Sequence, residues 1–162
     1  MSHTGIDLNV FAGNLSRIED SVRGLTEEQL SWKPAPEKWS IKEVVSHLTD
    51  HLVVTGFRIR QIVSESVPQL PAFDQDAWVT VIRANEVSLE EHLGTYEALL
   101  AVNVPVLQRL EPEAWLRTAV NPRGKTVTLA ELLEGFSKHV GVHLDQIERN
   151  KQALAQEAAP SS

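Results

Sequence analysis

Apolar residues spaced three and four positions apart recur along most of this chain and predict four long amphipathic helices. Such spacing places apolar side chains on one face of an α-helix, which can then pack against a core. In the first helix this stripe begins at Leu8 and ends at Leu25. By the same criterion, the four predicted helices cover residues 8–25, 40–66, 76–110 and 128 to at least 147.

Polar residues mark where two of these helices begin. Ser40 followed by Glu43, and Thr128 followed by Glu131, match the capping box, in which a hydroxyl and a carboxylate reciprocally satisfy free backbone N–H groups. Pro105 falls inside the third apolar pattern. Because proline removes a helical hydrogen bond, it predicts a kink or a division of that helix.

The connecting segments favour an all-α fold. Residues 117–127 suit only a brief extended pair around a turn, and residues 67–75 are long enough for a crossover connection. We therefore predict an all-α four-helix bundle with a long crossover between helices 2 and 3. A single domain would occupy residues 1–152, and the small, polar residues 153–162 would form a flexible tail.

Composition and charge exclude several classes of partner. The 162 residues carry a formal net charge of −7, which argues against nucleic acid or an anionic membrane surface as the partner. There is no cysteine, which excludes disulfides, zinc–thiolate sites and a cysteine nucleophile. The N-terminus lacks the features of a signal peptide, and no apolar run reaches the roughly 20 residues of a membrane helix. We expect a cytoplasmic protein.

Candidate chemistry centres on histidine. His139 and His143 are four residues apart on the apolar stripe of the last helix, so their imidazoles point the same way. A histidine on an apolar face is more often a structural residue with one hydrogen bond. Burying two of them together is costly unless something binds them, and such a pair can hold a divalent transition metal with a third ligand from elsewhere.

The second helix offers two candidates for the third ligand, His47 and His51. Both could be ligands, giving a four-histidine site, or one could ligate while the other serves as a base or orients a ligand. The residues alone do not rank them. A site with three histidines and no cysteine leaves coordination positions open for water or substrate, which is typical of catalytic sites.

Other polar residues admit a functional and a structural interpretation. Asp50 and Asp145 lie close in sequence to candidate ligands and could orient an imidazole N–H, although solvated helix-face charges are commoner. Arg58 could meet an anionic substrate or pair with a surface acid. We interpret His92 as a structural boundary residue and His3 as inert.

At these histidines the chain resembles the DinB-like superfamily, in particular its YfiT-like branch of metal-dependent hydrolases. The likeness spans most of the chain from residue 32 to residue 149. Its order and spacing are specific for the superfamily, though not for a substrate. The segments that carry it are residues 39–51, 58–60, 68–78 and 139–147.

The resemblance implies a four-helix bundle with a long crossover, often dimeric, and a metal bound by one histidine of the second helix and two of the fourth. Carried over to this sequence, the metal ligands are His47, His139 and His143. His51 matches a position that is histidine in the YfiT-like branch, which implies an acid/base or substrate contact. Some relatives are thiol transferases that use low-molecular-weight thiols such as bacillithiol or mycothiol.

The expected function is therefore a metal-dependent hydrolase or thiol S-transferase. A divalent ion, zinc or nickel by ligand type, would activate water or a low-molecular-weight thiol toward a small-molecule substrate. A homodimer is expected, without nucleic acid or membrane. The alternative is a non-catalytic metal-binding or stress-associated helical bundle.

Overall fold

Four long helices form a bundle in the computed structural model of the chain, which describes residues 6–159. These helices are α1 (Leu8–Val22), α3 (Ile41–Ser64), α5 (Leu89–Gln108) and α6 (Leu129–Ala158). Shorter elements lie between them: α2 (Glu27–Ser31), α4 (Gln75–Val81), 3-10 helices at Ala84–Glu86 and Pro112–Leu116, and strands β1 (Thr118–Val120) and β2 (Thr126–Thr128). The all-α class, the bundle and its crossover are confirmed.

Not every pair of consecutive long helices packs side by side in the bundle. α1 packs mainly on α5 and α6, and α3 packs mainly on the same two helices, so α1 and α3 lie on a diagonal. A bundle that simply alternates up and down would place consecutive helices side by side. The crossover arrangement instead puts α3 directly beside α6, the two helices that carry the candidate metal ligands.

Apolar burial explains the packing. α3 is buried on most sides because its neighbours enclose it, and polar residues such as His47 and Arg58 are buried along with its apolar ones. Removing such side chains from water is the main favourable term in folding. Fully or almost fully buried apolar residues from the four long helices include Phe11, Ile18, Leu48, Leu52, Ile59, Tyr96, Leu107, Phe136, Val140 and Ile147.

The predicted helix starts are confirmed. Ser40 and Glu43 form both hydrogen bonds of a capping box at α3, and Thr128 and Glu131 do the same at α6. A further capping box at Thr26 begins the short α2, which the sequence analysis did not separate from its surroundings. Because α3 and α6 both begin at fixed residues, the depth of their histidines in the bundle is fixed as well.

The prediction for the third helix was wrong about where that helix breaks. Instead of one helix over 76–110 divided at Pro105, α4 ends at Val81 and α5 begins after Ser88, while Pro105 lies inside α5. Arg83 adopts a left-handed backbone conformation with φ 55°, and the Ser88 hydroxyl accepts from the Glu91 backbone N–H to cap α5. The local cap therefore decides the break more strongly than the proline.

The crossover segment is held against the small hairpin. The Leu70 backbone N–H donates to the Val120 carbonyl at 2.8 Å, and the Val120 N–H donates to the Pro68 carbonyl at 2.9 Å. The hairpin lies where a brief extended pair was predicted. Arg117 then donates to the carbonyls of Ile62 and Glu65, which satisfies the exposed end of α3.

α6 is longer than the sequence analysis assumed, since it continues to Ala158. The assignment of residues 153–162 to a flexible tail stays a prediction. Within residues 6–159, every helix is too short or too polar to span a lipid bilayer.

The N-cap of α6 gives a stability prediction. Thr128→Ala removes the hydroxyl that accepts from the Glu131 backbone N–H and should lower the free energy of unfolding by about 1 kcal/mol. Chemical denaturation measures this difference. Thr95→Ala, at an exposed position inside α5, is the matched control and should change stability by less than about 0.5 kcal/mol. Equal effects of the two substitutions would contradict the assigned cap.

Candidate metal centre

Three imidazoles meet between α3 and α6. His47 of α3 is fully buried, while His139 and His143 of α6 are half-buried one turn apart. The Nε2 atom of His139 lies 3.4 Å from Nε2 of His47 and 3.1 Å from Nε2 of His143. Each of the three residues offers a ring nitrogen within 4.8 Å of the other two. The family resemblance implied these three residues as ligands, and the structure brings their ring nitrogens together.

These separations match what a metal ion requires of its ligands. Zinc–imidazole bonds of 2.0–2.1 Å in tetrahedral geometry place neighbouring nitrogens about 3.3 Å apart. The two Nε2 separations at His139, 3.4 and 3.1 Å, lie on either side of that value. The cluster therefore has the dimensions of a three-nitrogen site for a small divalent cation.

Gln146 fixes the orientation of one ligand. His143 Nδ1 lies 2.8 Å from Gln146 Oε1, and because an amide oxygen only accepts, Nδ1 carries the proton. Nε2 of His143 is then unprotonated, and its lone pair faces the other two rings. A hydrogen bond of this kind is the usual way to orient a metal-binding imidazole. Sequence reasoning named Asp50 and Asp145 for this role, and the signal it missed was an amide three residues after His143.

Burial keeps the cluster neutral. Desolvation, reinforced by the neighbouring imidazoles, lowers the pKa of His47 to about 3 and that of His139 to about 4. The pKa of His143 is lowered as well, chiefly by burial. Neutral imidazoles are the form that binds metal, because the ligand nitrogen must be unprotonated. The three rings are thus ready to bind a cation at neutral pH.

Unsatisfied ring nitrogens support the same interpretation. Nδ1 of His47 and Nδ1 of His139 are buried without a hydrogen-bond partner. Buried polar atoms are ordinarily paired, so each orphaned nitrogen lowers stability unless the ring gains something else. These Nδ1 atoms are separate from the Nε2 atoms that converge, and coordination of one cation through the Nε2 atoms would stabilise the same rings and offset that cost. The residues therefore fit a divalent metal ion.

His51 lies beside the cluster but outside its group of converging donor atoms. Its ring centroid is 4.2 Å from that of His139 and 6.2 Å from that of His47, and it stacks on Phe136 at 5.0 Å. Burial, with smaller contributions from His139 and His47, lowers the pKa of His51 to about 2. Its Nδ1 atom is also buried without a partner. The donor atoms that converge in the structure are those of His47, His139 and His143, and His51 lies next to them.

Aromatic rings enclose the cluster. The Trp39 ring lies 5.0 Å from that of His47 and 6.2 Å from that of His143. Phe73, from the crossover segment, lies 6.4 Å from the rings of both His47 and His51. These walls exclude water from most sides, which lowers the pKa of the imidazoles and strengthens electrostatic interactions inside the site.

The remaining sequence candidates lie elsewhere or in other roles. His92 is buried with Nε2 3.0 Å from the Ala84 carbonyl oxygen, a structural contact. Asp145 is exposed. One carboxylate oxygen of Asp50 is buried without a partner, and burial raises the pKa of that carboxyl to about 6. His3 is outside the described residues.

A cavity of about 720 Å³ reaches the cluster from one side. Of the three converging histidines only His139 lines it, together with His51, so a molecule in the cavity would approach from the side of these two rings. Phe73 from the crossover segment and Gly135 from α6 also form its walls. A cavity of this size accommodates a small organic molecule.

The buried imidazoles predict a pH-dependent stability for the metal-free protein. Above pH 6.5, His47 is neutral in both the folded and the unfolded state. Between pH 6.5 and about pH 3, His47 takes up a proton in the unfolded chain but not in the folded protein. Stability is therefore lost as the pH falls, whereas the raised pKa of Asp50 acts in the opposite direction. Between about pH 7.5 and about pH 5.5, the His47 contribution is a loss of about 1.4 kcal/mol.

Denaturation of wild type and His47→Gln, both treated with chelator, isolates that contribution because Asp50 is common to both proteins. Wild type should lose about 1.4 kcal/mol more than the variant over this pH interval. Equal losses in the two proteins would show that His47 is not buried as a neutral ring.

Known proteins resemble this chain in sequence and in fold. OB0782 of Oceanobacillus iheyensis, provisionally named a metal-dependent hydrolase, is 24% identical over 130 residues, which are 80% of this chain and 75% of that protein. YfiT of Bacillus subtilis, with the same provisional name, is 21% identical over 138 residues, covering 83% of this chain and 78% of YfiT.

Solved structures show the same fold. The structure of YfiT from Bacillus subtilis superposes with a TM-score of 0.82 at 19% identity, covering 91% of this chain and 85% of YfiT. A mycothiol-dependent maleylpyruvate isomerase superposes with a TM-score of 0.70 at 12% identity, covering 86% of this chain and 58% of the isomerase. The model of the DinB superfamily matches residues 11–147, and the chain accordingly belongs to the DinB superfamily.

Proposed function

We propose that this protein is a metal-dependent enzyme in which His47, His139 and His143 hold a divalent ion. The single observation that carries the proposal is the convergence of three neutral ring nitrogens at separations of 3.1 and 3.4 Å. The provisional names of OB0782 and YfiT, both metal-dependent hydrolases, support it.

The donor set favours zinc or nickel. Three imidazole nitrogens without a carboxylate suit borderline transition metals, whereas magnesium and calcium prefer oxygen ligands. Three protein ligands leave at least one coordination position open, which is the arrangement of catalytic rather than structural sites. A divalent ion bound there would lower the pKa of a water or thiol in its open position and so supply a nucleophile near neutral pH.

Two reactions share this nucleophile-forming step. With water as the nucleophile the protein is a hydrolase, in agreement with the names of its relatives. With a thiol it is an S-transferase, and the fold shared with a mycothiol-dependent isomerase supports this second candidate. Since the chain has no cysteine, the sulfur would come from a low-molecular-weight thiol. The homodimer and the cytoplasmic location stay predictions.

His51 would contact the bound molecule as a neutral imidazole. Burial lowers the pKa of His51, which favours the neutral over the protonated ring at neutral pH. A neutral ring can still donate or accept one hydrogen bond from each nitrogen, and His51 lines the cavity beside His139. We therefore assign His51 to orienting the substrate or nucleophile beside His139.

The non-catalytic alternative is a bundle that only stores or senses metal. A chelator titration distinguishes this alternative from an enzyme. Protein purified without an affinity tag is titrated with chelator while its melting temperature and its turnover are followed. The turnover assays are hydrolysis of an aryl ester and conjugation of a small thiol to an electrophile. Stabilisation by metal without turnover in either assay would favour the alternative.

Removal of one ligand tests the site itself. His139→Ala should weaken metal binding by at least about 100-fold, because even loss of a residue that only orients a ligand costs 10- to 100-fold. His51→Asn should keep stoichiometric metal and lose turnover about 10- to 100-fold. Elemental analysis and isothermal titration give the metal content and affinity.

His92→Gln is the control for these substitutions, since His92 is buried outside the cluster, and it should keep both metal and turnover. Stoichiometric metal retained by His139→Ala would count against the ligand assignment.

Gly135 tests whether the cavity is the path to the cluster. It lies one turn before His139, lines the cavity and would meet nothing within 4 Å if it carried a Cβ. Gly135→Leu should leave metal content unchanged and raise stability slightly, since glycine inside a helix costs about 1 kcal/mol relative to alanine. The added side chain should narrow the cavity and reduce kcat/KM about tenfold or more.

Gly94→Leu supplies the matched control because Gly94 also lies inside a helix with open space around it, outside the cavity lining. Unchanged kcat/KM in Gly135→Leu would show that substrate reaches the cluster by another route.

A further inference from the structure

The charged residues that line the cavity carry a net positive charge, unlike the chain as a whole. Two acidic residues lie among its lining residues, Glu131 and Glu134, against four basic ones: Arg58, Arg123, Lys125 and Lys138. The wall therefore carries an excess of positive charge, whereas the whole chain has a formal net charge of −7. Such local reversal of sign draws small ligands of the opposite charge toward a cleft.

The four positive charges lack an acidic partner in the part of the chain that the structure describes. Among residues 6–159, no ion pair involves any of the four basic side chains. Glu131, in contrast, already accepts the Thr128 backbone N–H at 3.0 Å in the capping box of α6. The cavity lining therefore contains four cationic side chains without an ion-pair partner. Of its two carboxylates, that of Glu131 takes part in the capping box and that of Glu134 does not.

Arg58 is the buried member of this set. Its side chain comes from α3, two turns after His51, and the residue is only 8% exposed. One terminal nitrogen donates to the Pro71 carbonyl at 2.7 Å, while Nε is buried without any partner. A guanidinium in this environment carries a charge and a donor that the fold leaves unsatisfied, which is costly unless a ligand pairs with them.

We propose that the cavity binds a small organic anion whose charged group pairs with Arg58 and whose apolar part lies against Phe73 and Phe136. The inference rests on the proposed function for the reaction that follows binding, although recognition of the anion itself does not require the metal. Arg123, Lys125 and Lys138, all exposed, would attract the anion at the mouth. Carboxylate and phosphate groups share this chemistry.

This arrangement also fixes which end of the molecule reacts. His51 and His139 line the same cavity as Arg58. With its charged group held at Arg58, the rest of a bound molecule extends along the aromatic wall, and its reactive group can reach the two histidines. Arg58 is then a specificity-determining residue, and neutral molecules of the same shape should be poor substrates.

Three matched probes test the inference: 3-phenylpropanoate, its uncharged amide, and 2-phenylethyl phosphate. Binding is measured by isothermal titration, or by ligand-observed NMR at millimolar concentration, on both metal-loaded and metal-free protein. At least one anion should bind about tenfold more tightly than the amide in both forms, because a hydrogen bond to a charged group contributes more than one to a neutral group. Comparison of the two anions identifies the preferred charged group.

Arg58→Met should abolish the preference for the anion, and Arg109→Gln, an exposed arginine at the end of α5, should leave it unchanged. If Arg58→Met does not fold, the double variant Lys125→Gln, Lys138→Gln keeps the test open, since both residues are exposed. It should reduce the preference and its dependence on salt.

The outcomes separate this inference from the proposed function. Equal binding of anion and amide, no anion binding at all, or a preference that survives in Arg58→Met would overturn the inference. In the double variant, an unchanged preference would do the same. Protein that prefers the anion but binds no divalent metal would overturn the proposed function while leaving the anion site intact.

Discussion

The convergence of three imidazoles between α3 and α6 is the constraint on which the rest of the structure depends. Each of three imidazoles, one of them fully buried, brings a ring nitrogen within 4.8 Å of the other two, an arrangement that is costly in a protein interior unless something binds it. The convergence depends on the topology of the bundle, which places α3 beside α6 although a third long helix, α5, lies between them in sequence. Capping boxes at Ser40 and Thr128 then fix the register of both helices, so that His47 meets His139 and His143 at the same depth.

The surroundings of the cluster differ from one side to the other, and this asymmetry determines the side from which a molecule can approach the histidines. Trp39 covers the rings of His47 and His143, whereas His139 and His51 face a cavity. The crossover segment and the hairpin, which are joined by backbone hydrogen bonds at Leu70 and Val120, both contribute to the cavity wall. The same connection that makes the bundle topologically unusual therefore builds the wall of the site, and the buried guanidinium of Arg58 donates to the Pro71 carbonyl of that segment.

Much of this arrangement could be predicted from the sequence because it depends on local signals. Apolar periodicity placed the long helices, the capping boxes placed two helix starts, and four-residue spacing paired His139 with His143. The break at 82–88 was missed because the Ser88 cap was not recognised and because Arg83 adopts a left-handed backbone conformation that is uncommon for any residue other than glycine. The residues alone could not rank His47 against His51, since the choice depends on how α3 is rotated toward α6. Gln146 was overlooked because an amide is a weaker sequence signal than a carboxylate, although its position one turn from His143 is local.

X-ray absorption spectroscopy on the metal-loaded protein tests the central claim most directly. The account predicts three imidazole nitrogens at about 2.0–2.1 Å from a zinc ion, with at least one further light atom from solvent. The multiple-scattering pattern of the imidazole rings counts the histidines. A first shell made of oxygen atoms alone, or one that contains fewer than three imidazoles at full metal occupancy, would contradict it.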